Sequence, residues 1–273
     1  MQTVLIDILR LTIWLAILVA VFVPLERFFA LRPAKVWRAQ IGVDLGWYFI
    51  NALTTASIVA LPIAALARVL HGVDPYGLYT AIGAWPLWLK LLAALLVNDV
   101  GAYWVHRWQH HNRFLWRFHA VHHSAKQVDW LVNTRAHPID LVTERLGGLV
   151  PVYLCGLGSP TGGEFQPVAA LVMIFGTLWT FFIHANVWWR LGPLEWLIST
   201  PAFHHWHHTN DAHRDRNFAA IFPWLDRLFG TNYLPKNFPP VYGIDAPMAE
   251  TLLGQFVDPF FEPVKLGSDT LPE

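Results

Sequence analysis

The stretch DVGAYWVHRWQHHNRFLWRFHAVHHS, residues 99–124, reads as the end of an apolar helix running into a short, histidine-rich one. His106 and His110 are spaced i, i+4, so on a helix they share one face and can reach one metal ion. His111 points about 140° away from His106 by the same 3.6-residue geometry. His119, His122 and His123 follow an i, i+3, i+4 pattern, and His204, His207 and His208 repeat it in PAFHHWHH, residues 201–208. His205 falls about 100° off that second face. Six of the chain's fourteen histidines lie between His106 and His123, where about one is expected from their share of the chain. Clustering of this kind needs a chemical reason.

Working outward, the sequence around these groups is membrane-like. Of the 273 residues, 55% are hydrophobic and only 14% charged, too apolar for an ordinary soluble domain of this size. Apolar spans are expected over 4–25, 42–67 and 79–105, each near or above the roughly 20 residues a helix needs to cross the hydrocarbon. The first is read as a retained span rather than a signal peptide, because no small-residue cleavage site follows it. A hairpin is expected over 146–187: LGGLVPVYLCGLG, then the turn-rich SPTGGEFQP, then VAALVMIFGTLWTFFI. Its first arm is short enough to be re-entrant. The fold class is therefore an all-α integral membrane protein in one domain over 1–273, with four spans or three plus a re-entrant hairpin.

Basic residues set the expected orientation, since Lys and Arg accumulate on the cytoplasmic side. Arg27, Arg32, Lys35 and Arg38 lie between spans one and two, against Arg68 alone between spans two and three. The same alternation places 106–145 and 188–273 on the cytoplasmic face as a helical cap, so both histidine groups meet there. Tryptophans 37, 47, 85, 88, 188 and 189 sit near span ends, where an interfacial belt is expected. Lys plus Arg equals Asp plus Glu, and no basic run suggests a nucleic-acid partner. Cys155 is the only cysteine, which removes an intramolecular disulfide or a thiolate-rich metal site. Any metal is held by nitrogen and oxygen.

Eight helix-phased imidazoles exceed what one ion takes and suit two ions with about four each. Burying so many imidazoles with no ligand would be costly. Imidazole alone admits iron, zinc, copper or nickel. A nitrogen-ligated pair of ions beside the bilayer favours iron and redox chemistry on a lipid over zinc and hydrolysis.

At these residues the sequence resembles the fatty acid hydroxylase and sterol desaturase superfamily. Residues 99–124 look like its first two histidine boxes, and NTRAHPID, residues 133–140, like its Arg-x-His-Pro element. FFIHANVWWRLGPLEWLISTPAFHHWHH, residues 181–208, is similar to its third region, and NFAAIFPWLDRLFGT, residues 217–231, to its closing segment. The resemblance runs from about 99 to 235 in the family's order and leans toward the sterol desaturase-like and alkylglycerol monooxygenase-like members. It implies a cytoplasmic cap holding two iron ions, with zinc possible in purified protein, and oxidation of a lipid by dioxygen and external electrons. His106, His110, His119, His122, His123, His204, His207 and His208 carry over as ligands, and His184 matches a further family histidine.

The next candidates, as ligands or as groups bonded to ligands, are His137, Asp99, Tyr103, His111 and His205. Asp99 lies seven residues before His106 on nearly the same helix face, where it can orient a ligand directly or through Tyr103. Glu144, Glu195, Asp211 and Asp215 are left between such a role and the surface. His71 and His213 have no partner at helical spacing and read as structural, and Asp226 as closing a turn or pairing with an Arg. Phe203 and Trp206 read as packing residues before tunnel walls. The chain has no dinucleotide fingerprint and no cytochrome segment, so an electron-transfer protein, whether reductase, ferredoxin or cytochrome, is the expected partner besides the lipid. The rival readings are a zinc-dependent membrane hydrolase and a histidine-rich metal-binding or transport protein. A transport path needs ionisable residues through mid-span, whereas Asp44, Lys90 and Asp99 sit near the expected span ends.

Overall fold

The structure is a computed structural model and describes residues 2–158 and 167–261. Its helices are α1 (Gln2–Phe29), α2 (Ile41–Leu70), α3 (Leu78–Gly83), α4 (Leu87–His111), α5 (Arg113–His123), α6 (Pro138–Leu154), α7 (Val168–His184), α8 (Pro201–His207), α9 (Trp224–Leu228) and α10 (Leu252–Phe261). The expected all-helical membrane architecture is what the chain adopts. Among the described residues α1, α2 and α4 are long and apolar enough to cross a bilayer. The hairpin arms α6 and α7 have 17 residues each, about 25 Å of helix against a hydrocarbon core of about 30 Å. Residues 159–166, where a turn is expected, and Lys265 lie outside the described residues.

The third apolar stretch differs from the expected 79–105. Pro86 splits it: α3 ends at Gly83 and a new helix starts at Leu87, with Pro86 in extended backbone at its N-cap. That helix then runs on to His111, so His106 and His110 occupy its last two turns.

Close approach of α4 and α6 positions the site. A Cβ on Gly101 would stand 2.1 Å from the Gly147 carbonyl oxygen, and one on Gly147 would stand 2.4 Å from a Val105 methyl. Only glycines let the two backbones meet at this level, as small residues do between membrane helices. Elsewhere the helices interlock through ordinary apolar packing. Val59 and Ile63 of α2 meet Leu149 of α6, and Leu18 and Phe22 of α1 pack with Trp130, Leu131 and Phe181.

The C-terminal ends of α1, α4 and α7 and the N-terminal ends of α2 and α6 gather at one end of the bundle. Glu26 of α1 accepts from the backbone N–H groups of Trp130 and Asn186, both at 2.8 Å. Asn51 of α2 donates to the carbonyls of Thr134 and Ala136. Asp44 binds Arg135 at 2.6 Å and Arg38 at 2.7 Å, and Arg38 also pairs with Asp129. Arg32 donates to the Pro239 carbonyl and lies over the Tyr242 ring. Arg32 and Arg38, counted above as topology signals, therefore also hold the cap together. Trp37, Trp85, Trp88 and Trp188 are exposed as a belt requires, but Trp47 is fully buried and donates to Gln255 of α10 at 2.9 Å.

Candidate metal centre

Two short capped helices, α5 and α8, carry the two three-histidine boxes, while His106, His110 and His184 come from the last turns of α4 and α7. Asn112 caps α5 by accepting from Phe114 and Leu115 N–H, both at 3.0 Å. Thr200 caps α8, with Pro201 in its first turn, where a missing N–H costs nothing. The expected helical phases of the histidine boxes are realised.

The structure brings nine buried histidines into two adjacent groups: His106, His110, His119, His123 and His207 in one, His122, His184, His204 and His208 in the other. Within each group one ring nitrogen per residue lies within 4.8 Å of every other. In the first, His119 Nε2 is 3.1 Å from the Nε2 atoms of His106, His110 and His123. In the second, His184 Nε2 is 3.2 Å from His122, 2.9 Å from His204 and 3.1 Å from His208. The groups touch, the His123 and His208 rings stacking at 4.6 Å. Each box is shared. The i, i+4 pairs stay together, while His122 and His207, the i+3 members, cross to the other group.

The outward Nδ1 atoms define the tautomers. His106 bonds the Phe218 carbonyl at 2.9 Å, His122 that of Arg135 at 3.0 Å, His184 that of Thr180 at 2.7 Å and His207 that of Arg216 at 2.8 Å. A carbonyl only accepts, so each Nδ1 carries the proton and each Nε2 turns a bare lone pair inward. His119 and His110 bond the carboxylates of Asp140 at 2.9 Å and Asp215 at 2.8 Å. Lone pairs about 3 Å apart repel, and buried His207 Nε2 has no hydrogen-bond partner among the described residues. A cation resolves both problems: nitrogens about 2.1 Å from one ion and at right angles are about 3.0 Å apart. Burial, reinforced by neighbouring imidazoles, pushes His122, His123, His204, His207 and His208 well below the ordinary histidine range, which keeps them in the neutral, ligating form.

The remaining candidates lie outside both groups. Nδ1 of His137 caps α6 by accepting from Ile139 N–H, and its Nε2 donates to the Phe256 carbonyl. His205 bridges the Tyr242 hydroxyl and the Ala185 carbonyl. His111 is exposed and bonds the Arg107 carbonyl. Asp99 accepts from the N–H groups of Ala220, Ile221 and Phe222. It thus fastens the loop whose Phe218 carbonyl holds His106. Asp226 closes the same turn by accepting from Phe218, Ala219 and Thr231, and Tyr103 bonds Thr231 rather than a histidine. Of the open carboxylates, Asp215 reaches His110, Glu195 pairs with Arg190 and Asp211 with His213, and Glu144 sits one helical turn beyond Asp140. His213 stacks on Tyr233 at 4.1 Å; His71 is exposed at the end of α2. Phe203 and Trp206 are buried packing residues.

Asp140 is the functional residue that the sequence reading missed. It also accepts from Gln109 at 2.7 Å, and its one available signal was its place in the NTRAHPID stretch.

A family model for fatty acid hydroxylases matches residues 91–231, a window that contains all nine histidines. The chain belongs to the fatty acid hydroxylase family. It is 35% identical over 179 residues to an ornithine lipid hydroxylase of Rhizobium tropici, covering 64% of this chain and 52% of that protein. It is 33% identical over 167 residues to an alkylglycerol monooxygenase of Danio rerio, covering 60% and 34%. A Delta(7)-sterol 5(6)-desaturase of Gibberella zeae is 29% identical over 168 residues, covering 60% and 46%. The chain thus spans about half the length, or less, of these curated relatives, which are oxidoreductases. No solved structure matches the chain significantly.

Proposed function

We propose that this family member is a di-iron oxygenase that hydroxylates or desaturates a membrane lipid. The observation that carries the reading is the convergence of nine buried imidazoles, in two touching groups, at one end of a bundle of membrane-length helices. His106, His110, His119, His123 and His207 would hold one ion, and His122, His184, His204 and His208 the other. Bound iron would supply dioxygen activation and removal of hydrogen from an unactivated carbon. The chain's own contribution is to orient six of the nine imidazoles through their Nδ1 partners, to exclude bulk water by burial, and to hold the centre at one end of the helix bundle. Among the relatives named above, the ornithine lipid hydroxylase and the alkylglycerol monooxygenase are the more similar, which favours hydroxylation of a polar membrane lipid over desaturation of a sterol.

Electrons come from a separate reductase, ferredoxin or cytochrome, for which the histidine-bearing end is the docking side. That end faces the cytoplasm in this reading, supported by the basic residues of 106–145 and 188–261. The test is iron-loaded protein in liposomes with a reducing partner and dioxygen, with lipids read by mass spectrometry. One added oxygen atom, or loss of two hydrogens, supports the reading. Zinc-loaded protein that cleaves lipid without consuming oxygen refutes it.

A further inference from the structure

The two histidine groups are not backed alike. In the five-histidine group, two imidazoles lean on carboxylates: His119 on Asp140 at 2.9 Å and His110 on Asp215 at 2.8 Å. Asp140 is itself fixed, buried in the first turn of α6 and receiving Gln109 at 2.7 Å. Asp215 sits in a left-handed backbone conformation, φ 63°, which aspartate enters more readily than most non-glycine residues. In the four-histidine group no carboxylate bonds an imidazole among the described residues. His122 and His184 lean on carbonyls, and the Nδ1 atoms of His204 and His208 are buried without a partner among the described residues.

These contacts act in one direction. A carboxylate behind an imidazole raises the basicity of the opposite nitrogen and compensates the charge of a bound cation. An imidazole bound through Nε2 must keep its proton on Nδ1. In His204 and His208 that proton meets no acceptor, so binding there also leaves a buried donor unsatisfied. The first group has the extra nitrogen donor as well.

We propose that the two positions are unequal: the five-histidine position, backed by Asp140 and Asp215, fills first and holds its divalent ion, and the four-histidine position is labile. The proposal rests on the reading of the nine histidines as a two-metal centre. It makes Asp140 and Asp215 positioning residues that act on the metal through His119 and His110. It also places the exchangeable ion beside His184, His204 and His208.

The experiment is stepwise metal removal from the full chain in detergent, loaded with ferrous iron or cobalt(II) and challenged with a chelator. Two ions per chain should leave in two phases whose rates or affinities differ by about 10-fold to 100-fold. Asp140→Asn and Asp215→Asn keep an oxygen able to accept the imidazole proton but remove the charge. Each should weaken the tight phase by about 10-fold or more and bring the phases together, while the melting temperature of the metal-free protein stays near wild type. Asp140→Glu should recover part of the separation. Two ions leaving in a single phase overturn the inequivalence and leave the two-metal reading intact. Two phases that the Asn variants do not move overturn the role of the carboxylates. Fewer than two ions at saturating metal overturn the two-metal reading itself.

Discussion

Gly101→Ala is the most demanding test of how the bundle builds the site. The added Cβ meets the Gly147 carbonyl oxygen at 2.1 Å and the Pro151 ring at 3.0 Å. The first contact is about 1.3 Å short of ordinary packing, and a backbone oxygen cannot turn aside as a side chain can. Helices α4 and α6 must therefore separate, at a cost of about 1–3 kcal/mol for overpacking. The same two helices carry His106, His110 and Gln109 on one side and Asp140 on the other, linked by the 2.7 Å Gln109–Asp140 bond, and Asp140 in turn holds His119 of α5 at 2.9 Å. A separation of about 1 Å breaks bonds of that length, and loss of such a partner lowers metal affinity by about 10-fold to 100-fold. Purified Gly101→Ala should melt earlier in detergent and lose iron to a chelator faster than wild type. Gly176→Ala in α7 is the control, because its Cβ meets nothing within 4 Å, and it should be neutral or stabilising by up to about 1 kcal/mol. A Gly101→Ala protein that melts and holds iron like Gly176→Ala would refute the close-approach reasoning.

Three further outcomes follow from the geometry. His137→Asn should keep full metal content, because asparagine replaces the cap on α6 and the native ring touches no other histidine nitrogen; loss of an ion by elemental analysis would return His137 to the ligand set. Asp226→Ala strips acceptors from Phe218, Ala219 and Thr231, so it should cost about 1–3 kcal/mol for each buried donor left unmet and loosen His106, read as a lower melting temperature with partial metal loss. Metal-free protein should lose stability in acid. Five buried histidines titrate well below 6.5 when folded, so the unfolded chain binds more protons and stability rises with pH; melting temperature should fall as pH drops through about 6.5, and a flat profile down to about pH 5 would contradict the buried, neutral assignment.

Much of this site is legible in the sequence, for a physical reason. The repeats His119-x-x-His122-His123 and His204-x-x-His207-His208 need only the helical period to show that three imidazoles share a side. What the period does not show is the partition between groups. His122 and His123 stand about 100° apart on α5, wide enough for one helix to serve two ions, and only the facing helix decides which residue turns which way. His184 arrives from α7 and Asp140 from α6, so their contacts with His204 and His119 exist only in the tertiary fold. The cap role of His137 lies in its backbone partner Ile139, although Pro138 at the first helical position signals a helix start. The expected third span was drawn too early because hydropathy runs smoothly through Ala84-Trp85-Pro86, where the backbone does not. Position alone places Trp47 in the belt, whereas its indole meets Gln255, a residue 208 positions away in sequence.

The most direct measurement is metal content with Mössbauer spectroscopy on iron-enriched protein purified in detergent, alongside His122→Ala and His207→Ala. Each variant removes one imidazole from a different group. Two coupled irons per chain, disrupted in both variants, is the expected result. Zinc in place of iron, with no iron-dependent oxidation under reducing conditions, or iron that both variants retain unchanged, would contradict it.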